Sequence, residues 1–294
     1  MTIAVSYPAQ APARQLSLLL ILLGGACTGF SGILVRLSDI GPIATGGWRL
    51  AIATLVLLPL AAAAGATTFT WRGSPLLLLA GVFFAIDMSF YHWSLTLTSI
   101  AHATLIVNLA PLLALSAGFV FFGERLGAAK LFGLVASLGG AFLMTAMRAD
   151  TAGTLTGNGL AAIGMVGYAL YLVAVKQARA KHDTVTIMLW SSCSAAALMF
   201  IVAAIAGEQI LPRTAEAWAV VIALGVVAHV FGQGLVAFGM RTAPVGLASI
   251  LLLIQPVVAA IAAWVIFSED LTLMEMAGAG LVLAGLAVAS RTRS

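Results

Sequence analysis

A chain of 294 residues that is 62% hydrophobic and 8% charged, with a mean hydropathy of +1.11, is not a soluble domain, in which about a quarter of residues carry charge. Its net charge of +4 is spread over loops and ends rather than gathered in a basic patch, so no nucleic-acid partner is expected. Cys27 and Cys193 both fall inside apolar segments, which argues against a disulfide framework and a metal site alike.

Residues 1–15 hold two prolines and no apolar run and read as a loose tail. The apolar run that follows is too long for the core of a cleaved signal. Ten hydrophobic stretches can each cross the roughly 30 Å hydrocarbon core with about 20 residues. They are expected at 16–36, 43–64, 75–97, 101–122 and 126–147, then at 157–177, 184–206, 217–240, 245–267 and 272–290. Residues 148–156 connect the two sets, and 291–294 form a second short tail.

Orientation follows from the basic residues. With the amino terminus inside, ten of the fourteen Lys and Arg face the cytoplasm, among them Arg72, Arg125, Lys130, Lys176, Arg179, Arg241 and Arg293. Arg36, Arg49, Arg148 and Arg213 fall outside. This positive-inside bias puts both termini in the cytoplasm.

The stretch from Asn108 to Met144 returns as Leu253 to Ala289 with a constant offset of 145 residues, the separation of Pro111 from Pro256. Under that offset Phe122 meets Phe267, Glu124 meets Glu269, and Gly133 and Gly140 meet Gly278 and Gly285. Self-similarity on this scale marks two copies of one unit. Because each copy has five spans, the second enters the membrane upside down. The fold class expected is therefore all-α integral membrane, ten transmembrane helices as two inverted five-helix repeats, the ground plan of many secondary transporters.

The repeated pattern, Pro111…Phe122-Gly123-Glu124…Gly133 and Pro256…Phe267-Ser268-Glu269…Gly278, resembles the EamA-type repeat of the drug/metabolite transporter superfamily. Arg49, early in the second span, matches an arginine common in that family and is expected to neutralise local carbonyls or a carboxylate. The resemblance covers nearly the whole chain and implies a carrier of small molecules. Within the superfamily the chain is similar to bacterial ten-helix exporters of amino acids, including the aromatic type. It implies no catalytic residue, cofactor or metal, the lipid bilayer as surroundings, and a functional monomer.

Polar groups in hydrocarbon are costly unless paired or facing a cavity, so they are the candidate site residues. Asp87 is the one acid or base expected near the midplane, with Phe84 and Tyr91 on the same face of its helix. His229 and Gln233 lie midway along the eighth span, Tyr168 and Tyr171 along the sixth. Asn108 and Gln255 stand beside Pro111 and Pro256. Asn108, His229, Gln233 and Gln255 would contact the charged ends of a zwitterionic substrate, with Tyr91, Tyr168 and Tyr171 supplying aromatic surface. Asp87 is the candidate for coupling to protons, against uncoupled export down the substrate's own gradient. Pro111 and Pro256 each remove a backbone donor and are candidate hinges at matching depth. Glu124 and Glu269 read as caps on the helices that follow them.

Other function classes lack their residues. There is no GxxxxGK[ST] for ATP, no buried Glu in the first span for a small multidrug-type antiporter, and no HExxH or GxSxG for an intramembrane enzyme. No Lys follows Lys181, which weakens a nucleotide-sugar carrier.

Overall fold

The computed structural model describes residues 11–64, 75–98, 100–124, 127–146, 154–268 and 270–291. Of the residues singled out above, Arg72, Arg125, Arg148, Glu269 and Arg293 lie outside them. Ten helices among the described residues are long and apolar enough to cross a membrane. They are α1 (Arg14–Arg36), α2 (Pro42–Ala63), α3 (Pro75–Ser94), α4 (His102–Phe122) and α5 (Ala128–Thr145) in the first half. The second half supplies α6 (Leu155–Ala178), α7 (Thr184–Ile205), α8 (Ala215–Gly239), α9 (Val245–Phe267) and α10 (Leu273–Arg291). The outer surface carries Phe119, Phe121, Phe132, Trp264 and Val265 at more than half exposure, an apolar face suited to lipid.

The packing obeys the repeat. α5 packs along α10, α2 along α7 and α4 along α9, while α3 lies on α6 as α8 lies on α1. Advancing each number by five returns the same set of pairs. At the α5–α10 crossing, Gly133 faces the Gly285 carbonyl and Gly140 faces the Gly278 carbonyl. Between them the Ser137 hydroxyl donates to the Val282 carbonyl at 3.4 Å, a pair 145 residues apart. That pair maps onto itself, so the pseudo-twofold axis passes through it. A Cβ on Gly133 would stand 2.6 Å from the Gly285 oxygen, so the crossing needs glycine: without a hydrophobic drive between helices, lipid-embedded packing depends on close approach.

Helix ends are closed by two devices. Local caps serve α6, α7 and α8, where Thr154, Asp183 and Thr214 accept from the amides of Gly157, Thr186 and Ala217. α10 opens with a reciprocal Thr272–Glu275 box. Two other amino ends are capped from the opposite half of the chain. The Glu124 carboxylate accepts from the amides of Val245 and Gly246 at 2.7 and 3.1 Å, capping α9. The expectation that it caps the helix following it is therefore corrected: α4 ends in a left-handed turn at Gly123 (φ 63°), which carries Glu124 across to α9. Ser268 ends α9 in the same conformation (φ 54°), at the matching repeat position. On the other membrane face Glu208 accepts from Ile43 and Ala44 at 3.3 and 2.8 Å, capping α2.

Among the described residues four helices depart from regular α geometry, α1 with a turn at Phe30. α4 breaks at Asn108–Leu109 and α9 at Leu252–Leu253. At both breaks the ladder tightens to i→i−3 bonds, from Leu109 to Ile106 and from Leu253 to Ile250. Pro111 and Pro256 stand in the turn just after each break, where a missing N–H costs least. α8 is π-helical from Leu224 to Gln233.

Candidate functional site

Asp87, Tyr91, Tyr168, Tyr171, His229 and Gln233 come together where α3, α6 and α8 meet α2, with Gln255 of α9 beside Tyr168. Gly164 and Gly167 bring α6 onto α3: a Cβ on Gly167 would lie 2.7 Å from the Asp87 amide, and one on Gly164 3.1 Å from the Asp87 carbonyl. This approach sets Asp87, 2% exposed, within electrostatic reach of Tyr91, Tyr168 and Tyr171. Tyr168 and Tyr171 stack at 6.3 Å, and Tyr171 meets the Phe84 ring at 4.6 Å. Phe84 in turn lies 5.5 Å from the His229 ring. Phe84 and His229 are separated by the repeat offset, so the twofold axis runs between them.

The π-helical stretch places His229 and Gln233, both buried. Wider turns of this kind concentrate at functional sites. The His229 Nε2 and the Ser192 hydroxyl of α7 lie 2.8 Å apart. The Tyr168 hydroxyl faces the amides of Gln233 and Gln255 without closing a hydrogen bond to either. Tyr91 and Thr104 of α4 share a hydroxyl–hydroxyl bond of 3.1 Å. Asn108 sits in the α4 break, with its Nδ2 buried and unpartnered.

Arg49 requires a correction. Assigned above to the outer side, it is 5% exposed inside the bundle. Its Nη1 donates to Ser31 Oγ and its Nη2 to the Ala228 carbonyl, both at 3.2 Å. Its guanidinium carbon lies 5.9 Å from the Phe84 ring centre, and the group interacts electrostatically with Asp87. Asp87 is therefore not the lone charge at this depth. Ala228 lies within the π-helical stretch of α8, so Arg49 also satisfies a carbonyl there. The signals in the sequence were an arginine within an apolar span and its match to an arginine common in the family it resembles. Ser192 and the π-helix gave none.

Five buried polar atoms of this cluster lack a hydrogen-bond partner, Arg49 Nε, Asp87 Oδ1, Tyr168 OH, His229 Nδ1 and Gln233 Oε1, as do Asn108 Nδ2 in the α4 break and His92 Nδ1, whose ring interacts with Arg49. Each such group costs about 1–3 kcal/mol if left dry. Their cost in an apolar interior is what makes this cluster the candidate site. An apolar cavity of about 310 Å³ beside α1, α9 and α10, lined by Leu22, Leu23, Ile254, Leu283 and their neighbours, is separate from it.

Inverted repeats, discontinuous helices and an enclosed polar cluster on the repeat axis together define a membrane carrier. The chain belongs to the EamA-like transporter family, whose pattern matches twice, over residues 15–146 and 155–291. It is 31% identical over 219 residues to an uncharacterized transporter of Archaeoglobus fulgidus, covering 73% of this chain and 76% of that one. It is 24% identical over 249 residues to the pseudopaline exporter CntI of Pseudomonas aeruginosa, covering 84% and 85%. A solved crystal structure superposes with a TM-score of 0.81 over 96% of this chain and 97% of its own, at 22% identity, a likeness in fold alone.

Proposed function

We propose that this chain is a secondary exporter of small metabolites, amino acids first among them, working by alternating access around the Asp87–Tyr168–His229–Gln233 cluster. The observation that carries this reading is the convergence of unpartnered polar atoms from both repeats beside an aromatic wall. A zwitterion with an apolar side chain uses both surfaces. Tyr91, Asn108, Tyr171 and Gln255 complete the binding set, and the breaks before Pro111 and Pro256 supply hinges at matching positions. Export, rather than uptake, is favoured by the relative named as an exporter. The setting is a bacterial inner membrane with both termini cytoplasmic, the working unit a monomer, and the partners a small-molecule substrate and lipid.

The deciding experiment is flux of labelled amino acids and other metabolites in proteoliposomes containing only this protein. Saturable flux of amino acids supports the reading, and saturable flux of another class alone replaces the substrate. For topology, reporters at either terminus should be cytoplasmic and one in the 207–216 loop periplasmic. A cytoplasmic 207–216 loop would overturn the orientation.

A further inference from the structure

Arg49 and Asp87 are a buried guanidinium and a buried carboxyl group that interact electrostatically without a hydrogen bond between them. Arg49 is held from behind, by Ser31 on one side and the Ala228 carbonyl on the other. A guanidinium has five N–H donors, and these two bonds leave its Nε among those unpartnered. Asp87 Oδ1 is likewise buried without a partner. Phe84, one turn before Asp87 on α3, lies beside both the Arg49 guanidinium and the Tyr171 ring. A purely structural ion pair would close, since two opposite charges in a low-dielectric interior gain most from direct contact. Here the anchoring of Arg49 keeps the pair open next to the aromatic wall.

We infer that Arg49 and Asp87 are the two poles of the substrate site: Arg49 receives a carboxylate, Asp87 receives an ammonium, and a substrate must carry both. The inference rests on the amino-acid reading above and adds the residue that reads the carboxylate. The logic is charge balance inside the membrane, with Asp87 ionised beside Arg49 as part of the inference. With the site empty, the two protein charges offset each other. A zwitterion inserted between them pairs each charge and leaves the total unchanged. A plain amine satisfies Asp87 but brings its positive charge up against Arg49, and a plain carboxylate does the converse. Each leaves one buried protein charge uncompensated, which disfavours binding. The site therefore selects by the presence of both groups, with the Tyr168–Tyr171 wall accepting the side chain.

The test compares three ligands that differ by one charged group: phenylalanine, phenethylamine and 3-phenylpropionate, or the matching set for whichever amino acid the flux panel selects. Binding is read by ligand-induced thermal shift of the purified protein, and transport by flux in proteoliposomes. The wild-type protein should prefer the zwitterion to either analogue by at least about tenfold, because a site built around a polar group discriminates strongly against its loss. R49Q should erase the penalty on the amine, D87N should erase the penalty on the carboxylate, and R49K should retain part of the zwitterion preference. Wild-type protein that takes an analogue as well as the zwitterion overturns the inference without any variant. So do folded R49Q and D87N proteins that keep the wild-type order of preference. A protein that carries other metabolites but no amino acid refutes the proposed function itself, and the inference falls with it. Amino-acid flux without two-charge selectivity refutes the inference alone.

Discussion

Glu124 ties the end of α4 in the first repeat to the start of α9 in the second, and removing its carboxylate should open that face of the carrier. In E124A the amides of Val245 and Gly246 lose acceptors at 2.7 and 3.1 Å. A hydrogen bond to a charged group contributes a net ~1.5–3 kcal/mol. Loss of a cap costs about 1 kcal/mol, and water at this half-buried position recovers part of it. A net change of about 1.5–3 kcal/mol against the closed arrangement corresponds to roughly a ten- to hundredfold rise in the open fraction. The assay is cysteine labelling. In a background with Cys27 and Cys193 changed to serine, S249C reports from α9 directly behind the cap, at a position 1% exposed. A membrane-impermeant maleimide, applied from the Glu124 side, should label S249C at least about tenfold faster when E124A is present. Equal labelling rates would refute the reasoning and reduce Glu124 to solvating two amides.

Tyr168→Phe and Gln233→Leu should each lower flux at least about tenfold while leaving abundance near wild type, because each removes a polar atom that lacks a hydrogen-bond partner and keeps most of the packed volume. Normal transport by both variants would move the cavity elsewhere. A pH gradient separates two roles for Asp87. As the ammonium acceptor, Asp87→Asn should lose zwitterion flux with the gradient and without it, whereas loss confined to gradient-driven flux would make it a proton carrier. Gly133→Ala should cost about 1–3 kcal/mol of stability by overpacking the α5–α10 crossing, read as a lower melting temperature. An unchanged melting temperature would show that the helices part freely there.

The architecture was legible because the bilayer imposes it. Each span must satisfy its backbone internally over about 20 apolar residues, and the offset between Pro111 and Pro256 is visible without coordinates. The same glycines that align in the two sequences, Gly133 with Gly278 and Gly140 with Gly285, are those at which α5 and α10 cross. The site was legible only as residue types. Asp87, Tyr168, Tyr171, His229 and Gln233 could be singled out because polar and aromatic groups are few at this depth. Arg49 was misplaced because a basic residue eight positions into a helix reads equally well as a snorkelling side chain.

The sequence by itself determined ten spans, the inversion of the repeat and the short set of polar candidates. Tertiary structure alone decided which groups meet. It took Glu124 away from its own following helix to α9, brought Arg49 within electrostatic reach of Asp87, widened α8 into a π-helix at His229, and left polar atoms of the cluster without hydrogen-bond partners. The physical reason is that lipid and protein interior are both apolar, so a membrane helix carries little amphipathic signal to show which face turns inward. Which side chains meet is then fixed by glycine contacts and hydrogen bonds between residues more than a hundred positions apart, as from Glu124 to Val245, and no local pattern in the chain records them.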